Sequence, residues 1–221
     1  MMIAALIFDF DGLILDTEMP LYTTWRDIYA ERNCELPIER WIDVLGRGSA
    51  YFDFYGHLEA LSGEPVDRVA LKATVSQRAR AKIDVAAVRA GVIDHLDAGE
   101  QRGLAIGLAS GSSLAWVSEH LQRLGLADRF EHMVTHEHTD RHKPHPDPFL
   151  RCAALLGVEP ARCLVYEDSP NGIAAAKAAG MYCVAVPTEM TAPLELAEAD
   201  VRVESLDALP LADLLQRLEG D

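Results

Sequence analysis

Short runs of consecutive apolar residues recur along the chain, and stretches with helical periodicity separate them. Runs that are apolar at every position are typical of strands buried on both faces of a parallel sheet. One helical stretch, residues 114–124, places its leucines and valine on one face, and Gly125 would end it. The pattern therefore predicts an α/β fold with a parallel sheet and helices on both of its faces. The predicted strands cover residues 3–8, 104–109, 163–166 and 182–186, and two further helices cover 149–156 and 173–179.

Residues from Glu18 to about Arg89 interrupt this alternation. They contain four helical patterns and no convincing strand. A helical block inserted after the first strand is the simplest explanation, so we expect a small cap domain. The predicted core domain comprises residues 1–16 and 90–221, and the predicted cap domain comprises residues 17–89. The predicted cap helices cover residues 20–32, 38–45, 51–61 and 67–83.

Composition and charge narrow the choice of partners. The chain has 221 residues, is 49% hydrophobic and carries a formal net charge of −15. An acidic field of this size repels nucleic acid and anionic membranes, so neither is expected as a partner. The longest apolar run, Met1 to Phe8, is too short to span a bilayer and lacks the basic leader of a signal peptide. The four cysteines form no CxxC pair, which indicates reduced thiols in a cytoplasmic protein, and nothing in the pattern demands more than a monomer.

Pairs of acids follow two of the predicted strands. The first strand runs into residues Asp9–Gly12, where strand alternation points Asp9 and Asp11 to the same side. Another predicted strand ends in Glu167 and Asp168. Neighbouring carboxylates repel one another unless a cation or a proton lies between them. Four carboxylates at the carboxyl ends of parallel strands therefore predict a site for a hard cation, and Mg²⁺ suits oxygen ligands best.

A hydroxyl group and a lysine accompany these acids. Ser110 and Gly111 follow the strand at 104–109 and precede a helix, where a hydroxyl and backbone N–H groups could hold a phosphoryl group. Lys143 lies in a proline-rich segment just before another predicted helix, so its ammonium group could point towards the strand ends. A metal ion and a lysine would together allow an acidic protein to bind an anionic ligand.

These segments together resemble the motifs of the haloacid dehalogenase superfamily, in its phosphatase and phosphomutase branch. Residues Asp9–Glu18 match the first motif, and Ser110 stands where the second has Ser or Thr. Residues Lys143–Asp147 match the lysine motif, and residues Glu167–Ile173, followed by Ala175–Gly180, match the acidic motif. The resemblance spans nearly the whole chain and is strongest to the β-phosphoglucomutase-like subgroup. It implies a Rossmann-like core with a helical cap inserted after the first strand.

The resemblance also implies a catalytic mechanism. Asp9 would be the nucleophile that forms an aspartyl-phosphate, and Asp11 would be the general acid and base. Mg²⁺ would be held by the Asp9 carboxylate, the backbone carbonyl of Asp11 and Asp168, with Glu167 as a ligand or directly behind the ligands. Metal-free dehalogenases share the fold but lack the second acid of the first motif, so Asp11 argues against that activity.

The same resemblance implies a phosphatase that acts on a small phosphorylated metabolite, with a sugar phosphate favoured. Ser110 and the Gly111 N–H group would hold the phosphoryl oxygens. Lys143 would add a fixed positive charge beside them. These groups would overcome the repulsion between an anionic substrate and an acidic protein.

A phosphomutase of the β-phosphoglucomutase type is the alternative, because it shares the chemistry of the first step. The cap histidine of those mutases corresponds to Leu21 here, and their cap arginine corresponds to Ser49. These two departures favour the phosphatase. Trp25 matches a cap tryptophan of the subgroup, and Gly46 and Arg47 lie near the position of the missing arginine. Trp25, Gly46 and Arg47 are therefore the cap residues expected to contact the substrate.

Three further patterns have simpler structural interpretations. Five of the eight histidines fall within His132–His145, which suggests a zinc-binding protein without enzymatic activity. That segment is a predicted strand and loop without helical i, i+4 spacing, so a solvated loop is favoured. The basic residues of Arg78–Lys82 are expected to form a solvated helix face, and the aromatic residues of Tyr22–Tyr29 are expected to form the core of the cap.

Overall fold

The computed structural model describes residues 2–47 and 51–220. Six strands in this part of the chain form one sheet. They are β1 (Ala5–Phe8), β2 (Ala105–Ala109), β3 (His132–Val134), β4 (Cys163–Glu167), β5 (Tyr182–Ala185) and β6 (Val201–Arg202). Their order across the sheet is β3-β2-β1-β4-β5-β6, and each neighbouring pair is parallel. The predicted α/β fold with a Rossmann-like parallel sheet is therefore confirmed.

Four helices follow β1 directly, and five more alternate with strands over the rest of the described chain. The first four are α1 (Glu18–Ala30), α2 (Ile38–Arg47), α3 (Phe54–Ser62) and α4 (Arg68–Ile83). The others are α5 (Val92–Gln101), α6 (Leu114–Leu124), α7 (Asp147–Leu156), α8 (Pro170–Ala178) and α9 (Leu211–Gly220). The sequence patterns predicted α1 to α4 and α6 to α8 to within a few residues, but did not predict α5 or α9. Among the described residues, no helix combines the length and the hydrophobicity needed to cross a bilayer.

The central strands of the sheet are buried on both faces. Every residue of β1 and β4 has 0% exposure. Ala5 and Ile7 of β1 pack in one cluster with Phe149 of α7 and Ile173 of α8. Because helices cover both faces, neither strand has a solvated side, and this explains the absence of polar alternation in their sequences.

The start of α7 differs from the prediction. The dipeptides Asp147-Pro148 and Ser169-Pro170 predict that Asp147 and Ser169 cap the helices that begin there. Ser169 caps α8 as predicted, because it accepts a hydrogen bond from the Gly172 N–H at 3.1 Å. Ser113 caps α6 in the same way, by accepting a hydrogen bond from the Trp116 N–H at 3.3 Å. Asp147, the residue expected to cap α7, is instead its first helical residue. Its carboxylate accepts two hydrogen bonds from Arg141, at 2.9 and 3.0 Å. The bidentate ion pair engages both oxygens of this carboxylate, and Asp147 does not cap the helix.

The chain divides into two compact units, whose limits differ from the predicted domains at their edges. The sheet unit contains residues up to Leu15, residues 87–188 and the residues from 195 onward. The helical unit contains residues 16–86 together with Glu189–Leu194. Met190 from this second segment is buried in the aromatic cluster of the helical unit. The sequence patterns placed 189–194 in the core domain, because packing between distant segments leaves no local signal.

An aromatic cluster forms the core of the helical unit. Tyr22, Trp25 and Tyr29 of α1 are 7%, 5% and 0% exposed. Trp25 stacks on Phe54 of α3, with ring centroids 5.1 Å apart. These contacts support the interpretation of the three aromatic residues as packing residues of the unit.

Three basic residues of α4, Arg78, Arg80 and Lys82, are paired with acids on the surface of the helical unit. Arg78 bonds to Glu31, and Lys82 donates a 2.8 Å hydrogen bond to Asp27 of α1. Arg80 pairs with Asp84 at 2.7 Å, one helical turn further along the chain. The pairs support the interpretation of a solvated, ion-paired helix face.

A buried histidine ties α5 to β4 and to the segment before α9. His95 is 1% exposed, and its Nε2 lies 3.1 and 3.0 Å from the carbonyl oxygens of Leu206 and Leu209. Carbonyl oxygens only accept, so Nε2 carries the proton. Nδ1 then accepts from the Tyr166 hydroxyl at 2.9 Å. Burial lowers the pKa of His95 below its usual value of 6.5, although the two carbonyls raise it.

We expect the stability that His95 provides to depend on pH. Because its pKa is lower in the folded chain, the unfolded chain binds the proton first as pH falls. The contribution is therefore complete above about pH 6.5 and is lost as pH falls through the folded-state pKa. His95→Asn should lower the free energy of unfolding by about 1–3 kcal/mol at pH 8 and by less at pH 5, measured by urea denaturation. The exposed His132→Asn is the control, and an equal loss at both pH values for His95→Asn would contradict the expectation.

Candidate active site

Residues with polar side chains follow β1, β2 and β4, at the carboxyl ends of these central strands. β1 lies between β2 and β4, and the Asp9 N–H continues the pairing by donating to the Tyr166 carbonyl at 3.0 Å. Ser110 follows β2, and Asp168 follows β4. β1 and β4 are neighbours, but the strand that follows β1 in sequence, β2, lies on one side of this pair. The strand that follows β4, β5, lies on the other side. The polar residues therefore surround a topological switch point, where parallel α/β sheets bind their ligands.

Asp9, Glu167 and Asp168 form a buried acidic cluster. Each offers a carboxylate oxygen, and these oxygens lie within 4.8 Å of one another. The three residues are 5%, 0% and 4% exposed. Among residues 2–45 and 51–218, whose side chains the structure describes, no other group of three His, Cys, Asp or Glu side chains comes together in this way. The structure thus joins acids that the sequence placed at the ends of two strands.

The Lys143 ammonium group bonds to two carboxylates of the acidic cluster. Its Nζ donates to Asp9 Oδ1 at 2.5 Å, to Glu167 Oε1 at 2.7 Å and to the Ala109 carbonyl at 2.9 Å. Nζ also lies 4.7 Å from the centre of the Phe149 ring. Burial alone would lower the pKa of Lys143, but Asp9 and Glu167 outweigh it and hold that pKa above its usual value. The lysine is therefore a permanent cation at the centre of the site.

Glu167 is held by four donors. Besides Lys143 on Oε1, its Oε2 accepts from the Asp168 N–H at 2.9 Å, the Ser169 N–H at 3.0 Å and the Ser169 hydroxyl at 2.9 Å. Both oxygens are thus engaged by protein donors. This arrangement suits a residue that orients Lys143 and the Asp168 backbone from behind the cluster.

Two glycines allow the backbone to approach these carboxylates closely. Gly12 has a φ of +85°, and a Cβ built on it would overlap the Asp168 carboxylate. A Cβ on Gly172, in the first turns of α8, would overlap the Glu167 carboxylate. A side chain at either position would therefore displace an acid of the cluster.

The Asp11 carboxylate lies outside the acidic cluster and has its own donors. The Ser112 hydroxyl donates to Oδ2 at 2.6 Å, and the Trp116 indole N–H donates to Oδ1 at 3.0 Å. Neither donor was predicted from the sequence. The sequence around this serine and this tryptophan, at the start of a helix, gives no indication of a hydrogen-bond partner about a hundred residues away. The metal-binding role of Asp11 was assigned to its backbone carbonyl, and that role stays a prediction.

The residues after β2 lie at the same carboxyl end of the sheet. Ser110 is 2% exposed, and its hydroxyl accepts a hydrogen bond from the Ser112 N–H at 3.0 Å. Gly111 is exposed, with no atom within 4 Å of a Cβ built on it. Lys143 reaches this loop through the Ala109 carbonyl. The arrangement leaves open space beside backbone and hydroxyl donors.

The chemistry of the acidic cluster suits a hard cation. All of its ligand atoms are carboxylate oxygens, which match Mg²⁺ or Ca²⁺ rather than a soft metal. Burial raises the pKa of Asp9 to about 7, against the lowering effect of Lys143, and Glu167 raises it as well. A second positive charge beside Asp9 would favour its ionised form. The cluster could therefore hold a metal ion.

The cap residues predicted to contact the substrate are only partly described. Trp25 and Leu21 line a cavity of about 710 Å³ within the helical unit, together with Trp41 and Arg68. Gly46 and Arg47 end α2, but their side-chain surroundings lie outside the described part of the structure, as does Ser49. Substrate contacts by Trp25, Gly46 and Arg47 remain predictions.

The histidine-rich segment offers no zinc site within the residues that the structure describes. The rings of His136 and His142 stack face to face, with centroids 4.0 Å apart and planes at 18°. Nδ1 of His138 is engaged by the N–H and hydroxyl of Thr135. No three of these histidines converge on one point, as a structural zinc ion requires. A solvated loop stays the favoured interpretation of this segment.

The family model of haloacid dehalogenase-like hydrolases matches residues 3–180. The match covers most of the chain and includes the acidic cluster, Lys143 and the loop after β2. The chain belongs to this family. The superfamily that its motifs resembled is therefore confirmed.

The relatives of this haloacid dehalogenase-like hydrolase include phosphatases. YhcW of Bacillus subtilis, named as a candidate phosphatase, is 42% identical over 219 residues, which are 99% of each chain. Fructose-1-phosphate phosphatase YqaB of Escherichia coli is 35% identical over 199 residues, covering 83% of this chain and 96% of the relative. The fold matches a β-phosphoglucomutase of Clostridium difficile with a TM-score of 0.72, at 24% identity, covering 99% of this chain and 98% of that one.

Gly172→Ala should destabilise the hydrolase. The added methyl group overlaps the Glu167 carboxylate, which four donors hold in place, so the helix or the carboxylate must shift. We expect the free energy of unfolding, measured by urea denaturation, to fall by about 1–3 kcal/mol. Gly111→Ala is the matched control, since its methyl group meets open space and should change stability by less than about 0.5 kcal/mol. Equal stabilities for the two variants would show that the overlap is relieved without cost.

Proposed function

We propose that this hydrolase is a magnesium-dependent phosphatase that acts on a small phosphorylated metabolite through an aspartyl-phosphate. A sugar phosphate is the favoured substrate class, since the relative YqaB is named for fructose 1-phosphate. The observation that carries the proposal is the 2.5 Å hydrogen bond from the Lys143 ammonium group to Asp9. Both side chains are at most 10% exposed, so the bond fixes a carboxylate in a protected site at the end of β1.

Asp9 and Asp11 carry the two chemical steps of this proposal. In the first step, a carboxylate oxygen of Asp9 attacks phosphorus, the bond from phosphorus to the ester oxygen breaks, and Asp11 gives its proton to that oxygen. In the second step, a water molecule attacks the phosphoryl group and gives a proton to Asp11, while the bond from phosphorus to Asp9 breaks. Phosphate leaves, and both carboxyl groups return to their starting states. Ser112 and Trp116 support the assignment, because they hold the Asp11 carboxylate in one orientation.

Lys143, Ser110 and Gly111 would bind the phosphoryl oxygens. Lys143 stays charged, because the two buried carboxylates beside it raise its pKa. The Ser110 hydroxyl and the Gly111 N–H stand at the end of β2, beside the Ala109 carbonyl that Lys143 contacts. Fixed donors at this position would stabilise the charge that develops on the phosphoryl oxygens in both steps.

Mg²⁺ would be held by the carboxylates of Asp9 and Asp168 and by the Asp11 carbonyl, with Glu167 behind them. When bound, the metal neutralises charge on the transferred phosphoryl group, so that one anion can approach another. The oxygen-only ligand set and the burial of its three carboxylates support this assignment.

A phosphomutase would differ only in the second step, where a sugar hydroxyl would replace water. Leu21 and Ser49 support the phosphatase, because phosphomutases of this subgroup carry a histidine and an arginine there. Leu21 lines an aromatic cavity of the helical unit and has no group that could exchange a proton with a sugar.

Phosphate release from a panel of sugar phosphates, hexitol phosphates, nucleotides and phosphoglycolate tests the proposed activity. We expect release from one or a few sugar phosphates in the presence of Mg²⁺ and none in the presence of a chelator, because the carboxylates would then repel the substrate. Conversion of β-glucose 1-phosphate into glucose 6-phosphate, with no phosphate released, would establish the phosphomutase instead.

Asp9→Asn should abolish turnover at nearly constant side-chain volume. The amide is no nucleophile, so the rate of phosphate release should fall by about 10³-fold or more. Asp11→Asn should slow both steps, with a loss of about 10²- to 10⁴-fold. The exposed Asp128→Asn is the control and should keep full activity. Turnover by Asp9→Asn at the control's rate would exclude the aspartyl-phosphate. Normal turnover by Asp11→Asn would show that Asp11 is not the general acid and base.

A further inference from the structure

The Arg89 guanidinium group, in the segment between α4 and α5, donates to three backbone carbonyls. Nη1 bonds to the Gly12 oxygen and, at 3.0 Å, to the Val186 oxygen, and Nη2 bonds to the Pro187 oxygen at 2.8 Å. The Arg89 N–H also donates to the Ile14 carbonyl at 2.9 Å. One residue of the sheet unit thus joins the turn after β1 to the segment after β5.

Both of these segments contact the acids that follow β4. The Gly12 backbone lies so close to Asp168 that a Cβ on the glycine would overlap the carboxylate. The Val186 N–H donates to the Glu167 carbonyl at 2.7 Å. Arg89 therefore bonds to backbone on two sides of the Glu167–Asp168 pair.

The number and arrangement of these bonds require an arginine. A guanidinium group is planar and carries five N–H donors in fixed directions, so two of its nitrogens can serve three carbonyls at once. A lysine ammonium is a point charge on a flexible stem and cannot reproduce that fork. Hydrogen bonds from a charged donor are also roughly twice as strong as neutral ones.

We propose that Arg89 is a positioning residue for the cation site. It holds the Gly12 turn against Asp168, which limits the orientations of that carboxylate and of the segment that carries Asp9 and Asp11. The inference rests on the proposed function, since it takes Asp9 and Asp168 as the carboxylates that hold Mg²⁺. Outer partners that orient metal ligands commonly change metal affinity by 10- to 100-fold when they are removed.

Titration of Mg²⁺ into the protein, followed by isothermal calorimetry without substrate, tests the inference. The variants are Arg89→Met, which keeps the alkyl stem, and Arg89→Lys, which keeps the charge. Arg162→Met is the matched control, because Arg162 also donates to a backbone carbonyl, that of Met2, but lies just before β4, at the end of the strand opposite to Glu167. Asp168→Asn removes a proposed ligand and shows whether the measured heat comes from this site.

We expect the Mg²⁺ dissociation constant to rise by about tenfold in Arg89→Met, to rise by less in Arg89→Lys and to stay unchanged in Arg162→Met. A purely structural role would lower the unfolding temperature and leave the affinity of the folded protein unchanged. If both Arg89 variants bind Mg²⁺ like Arg162→Met while Asp168→Asn binds weakly, the role of Arg89 is refuted and the metal site stands. If Asp168→Asn binds Mg²⁺ like the wild type, the proposed metal site fails and the inference fails with it. Should Arg89→Met not fold, Arg89→Lys decides by the same criterion.

Discussion

The site depends on one buried ammonium group shared by segments that are far apart in sequence. Lys143 bonds to Asp9, 134 residues before it, and to Glu167, 24 residues after it. Removing charges from water is costly, and a buried carboxylate without a partner is one of the most destabilising features that a fold can contain. Each of these three buried charges is therefore stabilised by a charge of opposite sign, and the order of the strands around β1 brings the three groups together.

The fold was predictable wherever burial produced a local pattern. β1, β2, β4 and β5 are continuous apolar runs because helices cover both faces of the sheet. β6 has two residues at the edge of the sheet, too few to form a pattern. α5 was missed because two of its buried positions are His95 and Gly99, which do not count as apolar. A Cβ on Gly99 would press on Leu6, so the close packing of α5 on β1 requires a glycine at this position. The same glycine interrupts the apolar periodicity by which the helix could have been predicted.

The site was predictable to the extent that its chemistry follows from strand ends. Asp9, Ser110, Glu167 and Asp168 are placed by the general rule that ligands bind beyond the carboxyl ends of parallel strands. The residues that orient them were not predictable in this way. Arg89 and Trp116 contact groups more than 70 residues away, and neither is part of a pattern that its neighbours share. Long-range hydrogen bonds are a property of the assembled structure, whereas hydrophobic periodicity is a property of each segment.

The hydrogen bond between Trp116 and Asp11 also provides an optical reporter. Of the three tryptophans, Trp25 and Trp41 belong to the helical unit, and Trp116 belongs to the sheet unit. The fluorescence of an indole ring depends on the hydrogen bond at its nitrogen and on the charges nearby. The emission of Trp116 therefore senses the charge and the position of the Asp11 carboxylate. A chain that keeps Trp116 and carries phenylalanine at the other two positions would report a change in the charge or position of the Asp11 carboxylate as a change in emitted light.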